Sequence, residues 1–324
     1  MSALRRQEVS ASDRAAFAAV ARDVCGAARL VDVRPLTGGV SSEVYALELE
    51  DLALRRTTVV LRRHRAQAWK PDPAAVVTRE YRLLEVLHRA GLPVPEPISV
   101  DVEGSILAEP YLLIGFVDGT TELQGQTVEA RVSTMAGALA ELHALRFEAL
   151  PELPTRSSPL PEVFEYLPAG EAEDRRLRDA LAAHPLDGFE ERPALLHGDF
   201  WPGNLLWRDG HLAAVIDWED AAVGDPLSDL ASAALEATYA YGSAAATAFV
   251  KAYRRRHPVP LRRFALWRIY VSAAGAHFMG EWGLAAEKEA RMRLQAKAFL
   301  HEALADLSTP ALGEQGQGVP GEGG

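Results

Sequence analysis

The chain has 324 residues, 48% of them hydrophobic, and a formal net charge of −11. This length predicts two lobes or two domains, because single compact cores are usually smaller. The acidic balance argues against nucleic acid as a partner, since phosphate backbones bind basic surfaces. Every apolar run is far shorter than the roughly 20 residues of a membrane helix, and the first residues lack a signal-peptide pattern. We therefore expect neither membrane insertion nor secretion.

The single cysteine, Cys25, excludes an internal disulfide and leaves too few thiols for a zinc cluster. It favours a cytoplasmic location and a buried, unreactive thiol. Basic and acidic residues are equal in number up to Phe116, so the whole acidic excess lies after that residue. An acidic second part either attracts a cationic small molecule or simply solvates exposed helices.

The first part of the chain predicts a small antiparallel sheet with one inserted helix. Residues 11–28 have helical periodicity, and the runs "VDVRPL", "EVYALELE" and "TTVVLRRHR" alternate as strands do. Helical spacing returns at 77–90 and ends at the glycine and prolines of "GLPVPEP". The segment "SILAEPYLLIGFV" restores strand character.

The second part is dominated by helices, predicted at 128–147, near 171–183, at 227–253 and at 261–307, with a proline-rich loop at 149–161. We place one domain at 1–116, a second at 117–309 and a disordered tail at 310–324. His143 and the aromatic series from Trp267 to Trp282 are interpreted as core residues rather than as ligands or an acceptor pocket.

Polar residues interrupt an apolar segment in "ALLHGDFWPGNLLWRDGHLAAVIDWED". The dipeptide Asp209-Gly210 is a strong signal for a two-residue hairpin turn. Counting outward from that turn pairs Trp207 with Leu212 and Asn204 with Val215. The open end of the hairpin therefore receives both Asn204 and the residue two positions after Val215, which is Asp217.

These side chains match a known chemistry. An amide oxygen from Asn204 and a carboxylate from Asp217 form a hard-oxygen site that suits Mg²⁺ bound to phosphates. Asp199 lies five residues before Asn204 and can accept a proton from an attacking hydroxyl. This spacing is typical of phosphoryl transfer by kinases.

The segments "HGDFWPGN", "VIDWEDAAVGDPLSDLA" and "LAELHAL" make the sequence resemble the aminoglycoside phosphotransferase and choline kinase superfamily. The resemblance runs from about Leu36 to Leu235. It implies an α+β, bilobal, protein kinase-like fold, with a small antiparallel N-terminal sheet, one inserted helix and a mainly helical C-terminal lobe. It also implies transfer of the γ-phosphate of ATP, with Mg²⁺, to the hydroxyl of a small molecule.

The resemblance assigns roles in the second part of the chain. Asp199 matches the catalytic base, and Asn204 and Asp217 match the metal ligands. His197 matches a structural histidine beside the base, and Asp229 matches an acid that supports the catalytic loop from the following helix.

In the first lobe, "LTGGVSSEVYALE" resembles the loop that covers the phosphates of ATP. Arg62 takes the position of the phosphate-binding lysine, and Glu80 matches its ion-pair partner. Arginine at that position departs from the protein-kinase pattern, because arginine and lysine are not interchangeable. The remaining nucleotide-binding candidates are Gly38, Gly39, Ser41 and Ser42 in the loop, and Gly115 and Val117 in the linker after the sheet.

Other functions stay open. Arg62 also suits a catalytically silent module that binds nucleotide without consuming it. A metallohydrolase using His197 and Asp199 is disfavoured because no second ligand cluster has the required spacing. A protein kinase is disfavoured because little sequence separates Asp217 from "GDPLSDLA". The acceptor is not identified: aminoglycosides, choline-like alcohols, sugars, amino-acid alcohols and macrolides all fit the resemblance.

Overall fold

The structure is a computed structural model that describes residues 9–36, 42–66, 72–122, 125–146, 149–159, 162–166, 178, 181 and 193–308. Three predicted features lie outside these residues: the loop positions Gly38, Gly39 and Ser41, most of the helix near 171–183, and the tail at 310–324.

The described elements share a simple order along the chain, with strands concentrated in the first part and helices in the second. They are α1 (Ala11–Asp23), β1 (Arg29–Leu36), β2 (Ser42–Glu50), β3 (Arg56–His64), α2 (Pro73–Arg89), β4 (Pro97–Asp101), β5 (Tyr111–Gly115), α3 (Val128–Ala144), β6 (Thr155–Arg156), α4 (Val163–Tyr166), β7 (Ala194–Leu196), β8 (Leu205–Arg208), β9 (His211–Val215), β10 (Ala222–Gly224), α5 (Pro226–Tyr241), α6 (Ser243–Arg254), α7 (Leu261–Phe278) and α8 (Ala286–Ser308).

The chain divides into two compact units, one formed by residues 1–157 and 189–257 and the other by 158–188 and 258–324. The predicted domain boundary after residue 116 is not tested by this division and stays a prediction. Every site candidate that the structure describes lies in the first unit.

The first unit contains an antiparallel sheet in the order β1-β2-β3-β5-β4. Helix α1 covers this sheet with Phe17 and Val20, which join a buried cluster with Leu47 and Leu61. Helix α2 is inserted between β3 and β4, as the sequence predicts. It begins four residues before the predicted start because the Asp72 side chain caps it and Pro73 occupies its first turn.

The helical part of the first unit consists of α3, α5 and α6. The single helix predicted at 227–253 is wrong, because the chain turns at Gly242 with a φ of 91° and starts a second helix. A left-handed residue cannot continue a right-handed helix, and glycine adopts that conformation without steric cost. Helical periodicity on both sides of Gly242 concealed the break.

The hairpin β8–β9 turns at Asp209 and Gly210, which both have positive φ, as predicted. Trp207 pairs with Leu212 as expected, but the predicted pairing of Asn204 with Val215 is wrong. The register shifts by one residue next to Trp207, so that Leu205 pairs with Val215. A bulge of this kind adds one residue to one strand, and counting from the turn cannot detect it.

The second unit packs α4, α7 and α8 around a core that includes Val163, Ile269 and Ala303. The single helix predicted at 261–307 is interrupted by a 3₁₀ turn at Met279–Glu281. In the aromatic series, Trp267 is buried as predicted, whereas Phe278 is 37% exposed, so the core interpretation is only partly correct. No helix in the described part of the chain is long and apolar enough to cross a membrane.

Candidate active site

The loop after β7 carries His197, Gly198 and Asp199. Gly198 has a φ of 85°, and a Cβ atom at this position would overlap the carbonyl oxygen of Asp220. Only glycine satisfies both the left-handed conformation and this close approach of two chain segments. The sequence "HGD" therefore places Asp199 at the end of a constrained turn.

Asp229, in the first turn of α5, binds the backbone of the His197–Gly198 turn. Its Oδ2 accepts the backbone N–H of His197 at 2.7 Å, and its Oδ1 accepts that of Gly198 at 3.0 Å. Burial alone would raise the pKa of this carboxyl, but hydrogen bonds from the His143 side chain and from the backbone N–H of His197 hold the pKa below its usual value. The loop backbone is thus held by an ionised, buried carboxylate.

The His197 ring is fully used by local hydrogen bonds. Its Nε2 donates to the carbonyl oxygen of Ile216 at 3.1 Å, and its Nδ1 accepts the backbone N–H of Asp199 at 3.2 Å. Burial lowers the pKa of His197, which keeps the ring neutral. Both ring nitrogens of His197 therefore have partners within the chain, and this arrangement argues against the metallohydrolase.

Asn204 fixes the position of the Asp199 side chain. Its Nδ2 donates to the backbone oxygen and to Oδ2 of Asp199, each at 2.9 Å, which leaves its own amide oxygen for another ligand. Burial and the negative charges of Asp217 and Asp220 raise the pKa of Asp199 to about 7. A carboxylate with this pKa is suited to proton transfer near neutral pH.

Arg62 of β3 connects the sheet to the segment after β9. Its Nη1 pairs with Glu80 of α2, its Nη2 lies 2.7 Å from Oδ1 of Asp217, and Glu219 lies 3.7 Å away. Although burial opposes the charge, these carboxylates raise the pKa of Arg62 further above its ordinary value. Burial and the charges of Asp217 and Glu219 outweigh Arg62 and raise the pKa of Glu80.

The backbone at Asp217 is in an unusual conformation, with a φ of 68°. Non-glycine residues in this region carry strain of about 1 to 3 kcal/mol and are concentrated at functional sites. The next residue is held firmly: the N–H of Trp218 donates to Glu80 at 3.1 Å, and its indole N–H donates to Val215 at 3.0 Å. Helix α2 therefore contacts the metal-ligand candidate through Arg62 and through the adjacent backbone.

Sequence reasoning missed Glu219 as part of this cluster. Its side chain is 7% exposed and lies within 4 Å of both Arg62 and His64. The signal was present in "IDWED", where Glu219 follows Asp217 by two positions. His143, by contrast, is the satisfied core histidine that was predicted, since it is buried and contacts Tyr253 and Asp229.

Two of the described nucleotide-binding candidates lie in the same sheet as Arg62, Ser42 in β2 and Gly115 in β5. Ser42, opposite His64 in the sheet, has a buried hydroxyl without a hydrogen-bond partner among the described residues. The Gly115 N–H donates to the carbonyl oxygen of Glu96 at 2.8 Å, so this N–H is already used within the fold. Val117 lies two residues further along the linker.

The antiparallel sheet with one inserted helix, followed by a mainly helical part, is the architecture of a kinase-like fold. The chain belongs to the APH phosphotransferase enzyme family, whose sequence profile matches residues 32–267. This confirms the resemblance inferred from the motifs.

The curated relatives differ in how much of their own length is similar to this chain. Mouse acyl-CoA dehydrogenase family member 10 is 27% identical over 214 residues, which cover 61% of this chain but only 20% of that protein. Homoserine kinase from Pseudomonas aeruginosa UCBPP-PA14 is 31% identical over 63% of this chain and 69% of its own length. Viomycin phosphotransferase from Streptomyces vinaceus is 28% identical over 44% of this chain and 55% of its own length.

Solved structures share the fold at low sequence identity. An aminoglycoside phosphotransferase-like protein from Ralstonia eutropha JMP134 superposes with a TM-score of 0.65 and 19% identity, covering 90% of this chain and 98% of its own. Macrolide 2′-phosphotransferase type I gives 0.60 and 20%, covering 89% and 98%. APH(4)-Ia in a ternary complex with AMP-PNP and hygromycin B gives 0.59 and 16%, covering 88% and 98%. These similarities confirm the predicted α+β fold class.

Proposed function

We propose that this protein is a small-molecule kinase that transfers the γ-phosphate of ATP to a hydroxyl group. The observation that supports the proposal most directly is the convergence of Asp199, Asn204, Asp217 and the Arg62–Glu80 pair within one compact unit. Proton acceptor, hard-oxygen ligands and a buried cation are the parts that phosphoryl transfer requires.

The nucleotide would be held by the linker and by the start of β2. The backbone around Gly115 and Val117 is assigned to the edge of a purine, and the hydroxyl of Ser42, which has no partner among the described residues, suits a phosphate oxygen. We assign the loop residues Gly38, Gly39 and Ser41 to the phosphates on the sequence alone. Bound AMP-PNP in APH(4)-Ia is consistent with a nucleoside triphosphate as the donor.

The residues also fit a magnesium ion. Asn204 directs its amide nitrogen to Asp199, which leaves an oxygen, and Asp217 supplies a carboxylate, a donor set that Mg²⁺ prefers. When bound there, magnesium would neutralise charge on the transferring phosphates. Asp217 is paired with Arg62 in the structure, so we expect Arg62 to shift toward the phosphates when metal and nucleotide bind.

Asp199 would act on the acceptor. Its carboxylate accepts the proton of the substrate hydroxyl as the hydroxyl oxygen forms a bond to the γ-phosphorus. The bond from that phosphorus to the bridging β–γ oxygen breaks, and ADP leaves. Asn204 keeps the carboxylate in position during this step, and Arg62 offsets the negative charge that develops on the phosphates.

The acceptor belongs to one of several chemical classes. The acidic second half favours a cationic alcohol, and hygromycin B and viomycin, in the names of a similar structure and a relative, are such compounds. Homoserine is a second class. The acyl-CoA dehydrogenase relatives suggest a hydroxyacyl thioester as a third, because a substrate of that type must carry a hydroxyl to accept phosphate.

We place the reaction in the cytoplasm, and the support for this placement is the single cysteine in the sequence.

The decisive experiment is coupled ADP release with Mg-ATP and a panel of these acceptors, extended to choline, a macrolide and sugar alcohols. Acceptor-dependent release supports the kinase and identifies its acceptor class. Asp199→Asn should lower the rate by about 10²- to 10⁴-fold, the usual contribution of a general base. Asp209→Asn is the matched control, because asparagine also suits the positive φ of the hairpin turn. Equal rates for the two variants would contradict the assignment of Asp199.

One observation favours a second candidate, a silent nucleotide-binding module. Arg62 stands where kinases carry lysine and pairs with Glu80 and Asp217 at once, so its guanidinium is engaged by carboxylates rather than by phosphates. Binding of Mg-AMP-PNP in a calorimeter, without ADP release for any acceptor, would favour this module. The Arg62→Lys variant then tests whether the arginine is what prevents phosphate transfer. A lysine can pair with fewer carboxylate oxygens, so this variant should gain turnover only if Arg62 blocks the reaction.

A further inference from the structure

A chain of buried polar groups extends from Asp229 away from the active-site loop. His143 of α3 places Nε2 at 3.4 Å from Oδ2 of Asp229 and Nδ1 at 2.7 Å from the hydroxyl of Tyr253 in α6. The His143 side chain and the Asp229 side chain are 0% and 1% exposed. The Asp229 carboxylate therefore contacts both the backbone of the active-site loop and the His143–Tyr253 pair.

The chemistry of Asp229 assigns the direction of its hydrogen bond with His143. An ionised carboxylate only accepts, so Nε2–H of His143 donates to Asp229. Nδ1 of His143 forms the second hydrogen bond, with the hydroxyl of Tyr253. Both oxygens of Asp229 are thus satisfied, Oδ1 by Gly198 and Oδ2 by His197 and His143.

Two helices determine where the Tyr253 hydroxyl lies. The Tyr253 ring stacks on His257 with a centroid separation of 5.5 Å, and Nε2 of His257 lies 3.1 Å from the carbonyl oxygen of Ala140 in α3. The end of α6 is therefore fixed on α3 within one turn of His143. The polar chain is a feature of the α3–α6 contact and not of the loop itself.

We propose that His143 and Tyr253 are positioning residues for Asp199, acting through Asp229 on the backbone of His197 and Gly198. The inference rests on the proposed function, in which Asp199 receives the acceptor proton. Without His143, only the backbone amides of the loop would fix the orientation of the Asp229 carboxylate. The hydrogen bond from His143 ties this carboxylate to α3 as well. Buried polar groups cost free energy unless they are paired, and His143, Tyr253 and both oxygens of Asp229 all have partners.

Hydrogen exchange measures the proposed effect without any need for activity. In the whole protein, His143→Ala should accelerate exchange of the amides of His197 and Gly198 by roughly tenfold or more, because their acceptor becomes mobile. His143→Gln keeps a donor near the position of Nε2 and should restore most of the protection. Leu139→Ala, a buried apolar position in the same helix, is the control for general destabilisation and should not single out these two amides.

Kinetics then separates positioning from folding. With an accepted substrate, Tyr253→Phe, which removes one hydroxyl, should lower kcat by roughly tenfold while KM for ATP changes less than twofold, since misplaced reacting groups affect turnover more than nucleotide binding. His143→Gln should stay close to the unmodified protein. If no acceptor is phosphorylated, the proposed function fails, and the exchange data alone decide the role of His143. Wild-type exchange in His143→Ala, or wild-type kcat in Tyr253→Phe, overturns the inference.

Discussion

The Asp199 carboxyl lies in a partly buried position close to two other acids. Burial, together with the charges of Asp217 and Asp220, raises its pKa to about 7, compared with about 3.9 for an aspartate in an unfolded chain. A carboxyl whose pKa is raised on folding stabilises the protein fully below its unfolded pKa. That stabilisation is lost as the pH rises through the folded pKa. The ionised group that the reaction requires is thus a source of instability at neutral pH.

We expect Asp199→Asn to melt above the unmodified protein at pH 8 by about 2 to 4 °C or more, because ionising a carboxyl with so raised a pKa costs at least about 1 kcal/mol of stability. At pH 4.5 the difference should be clearly smaller, because the folded carboxyl is then protonated and only ionisation in the unfolded chain still opposes folding. Differential scanning calorimetry at both pH values checks this. Asp209→Asn serves as the control, and an equal difference at both pH values would contradict a raised pKa for Asp199.

At the residue scale, the motif spacing predicted which side chains meet. Asp199, Asn204 and Asp217 lie within one short stretch of chain, so a turn and a hairpin suffice to bring them together. The positive φ of Asp217 was not predictable, because aspartate, although enriched among non-glycine residues with positive φ, adopts that conformation only rarely. Glu219 escaped prediction for a similar reason: its contact with Arg62 depends on the path of the chain after Asp217.

At the scale of elements, β3 uses its two faces for different purposes. Neighbouring residues in a strand point to opposite sides, and Arg62 accordingly reaches Glu80 and Asp217 while Arg63 reaches α1. Nη1 of Arg63 lies 2.6 Å from Asp13, and its Nε lies 2.9 Å from Glu43. Glu43 is the second residue of β2, so this buried arginine connects α1 to the strand that follows the phosphate-loop candidate.

Removing this connection should destabilise the protein measurably. Asp13→Ala should lower the free energy of unfolding by about 1 to 3 kcal/mol, because the buried Arg63 loses one of its partners. Asp23→Ala on the same helix is the control, since its pair with Arg22 is exposed and such pairs contribute at most about 1 kcal/mol. Urea unfolding at pH 7 compares them, and equal losses would show that Arg63 does not depend on Asp13.

Element types were predictable and element ends were not. The first three strands and the inserted helix were predictable from the periodicity of their apolar residues. The break at Gly242 and the shifted register beside Trp207 depend on how segments pack against distant parts of the chain. A single glycine in a helical pattern is compatible with continuation as well as with a turn.

At the scale of the whole molecule, nucleotide binding should be visible as added stability. Mg-AMP-PNP at one hundred times its dissociation constant should stabilise the folded protein by about 2.7 kcal/mol, because it binds only the folded state. Excess EDTA should remove most of the shift in melting temperature, and Asn204→Ala should reduce the part that requires Mg²⁺. An unchanged shift in EDTA would argue against the metal assignment of Asn204 and Asp217.

By itself, the sequence determined the class of elements, the hairpin turn and the spacing of the acids, since these depend on neighbouring residues and on the local preferences of the backbone. Only the tertiary structure decided which distant groups meet. Arg62 and Asp217 are 155 residues apart, and His143 and Tyr253 are 110 apart. Such contacts arise when packing of apolar surface brings whole elements together, and no local pattern encodes the partner of a buried polar group.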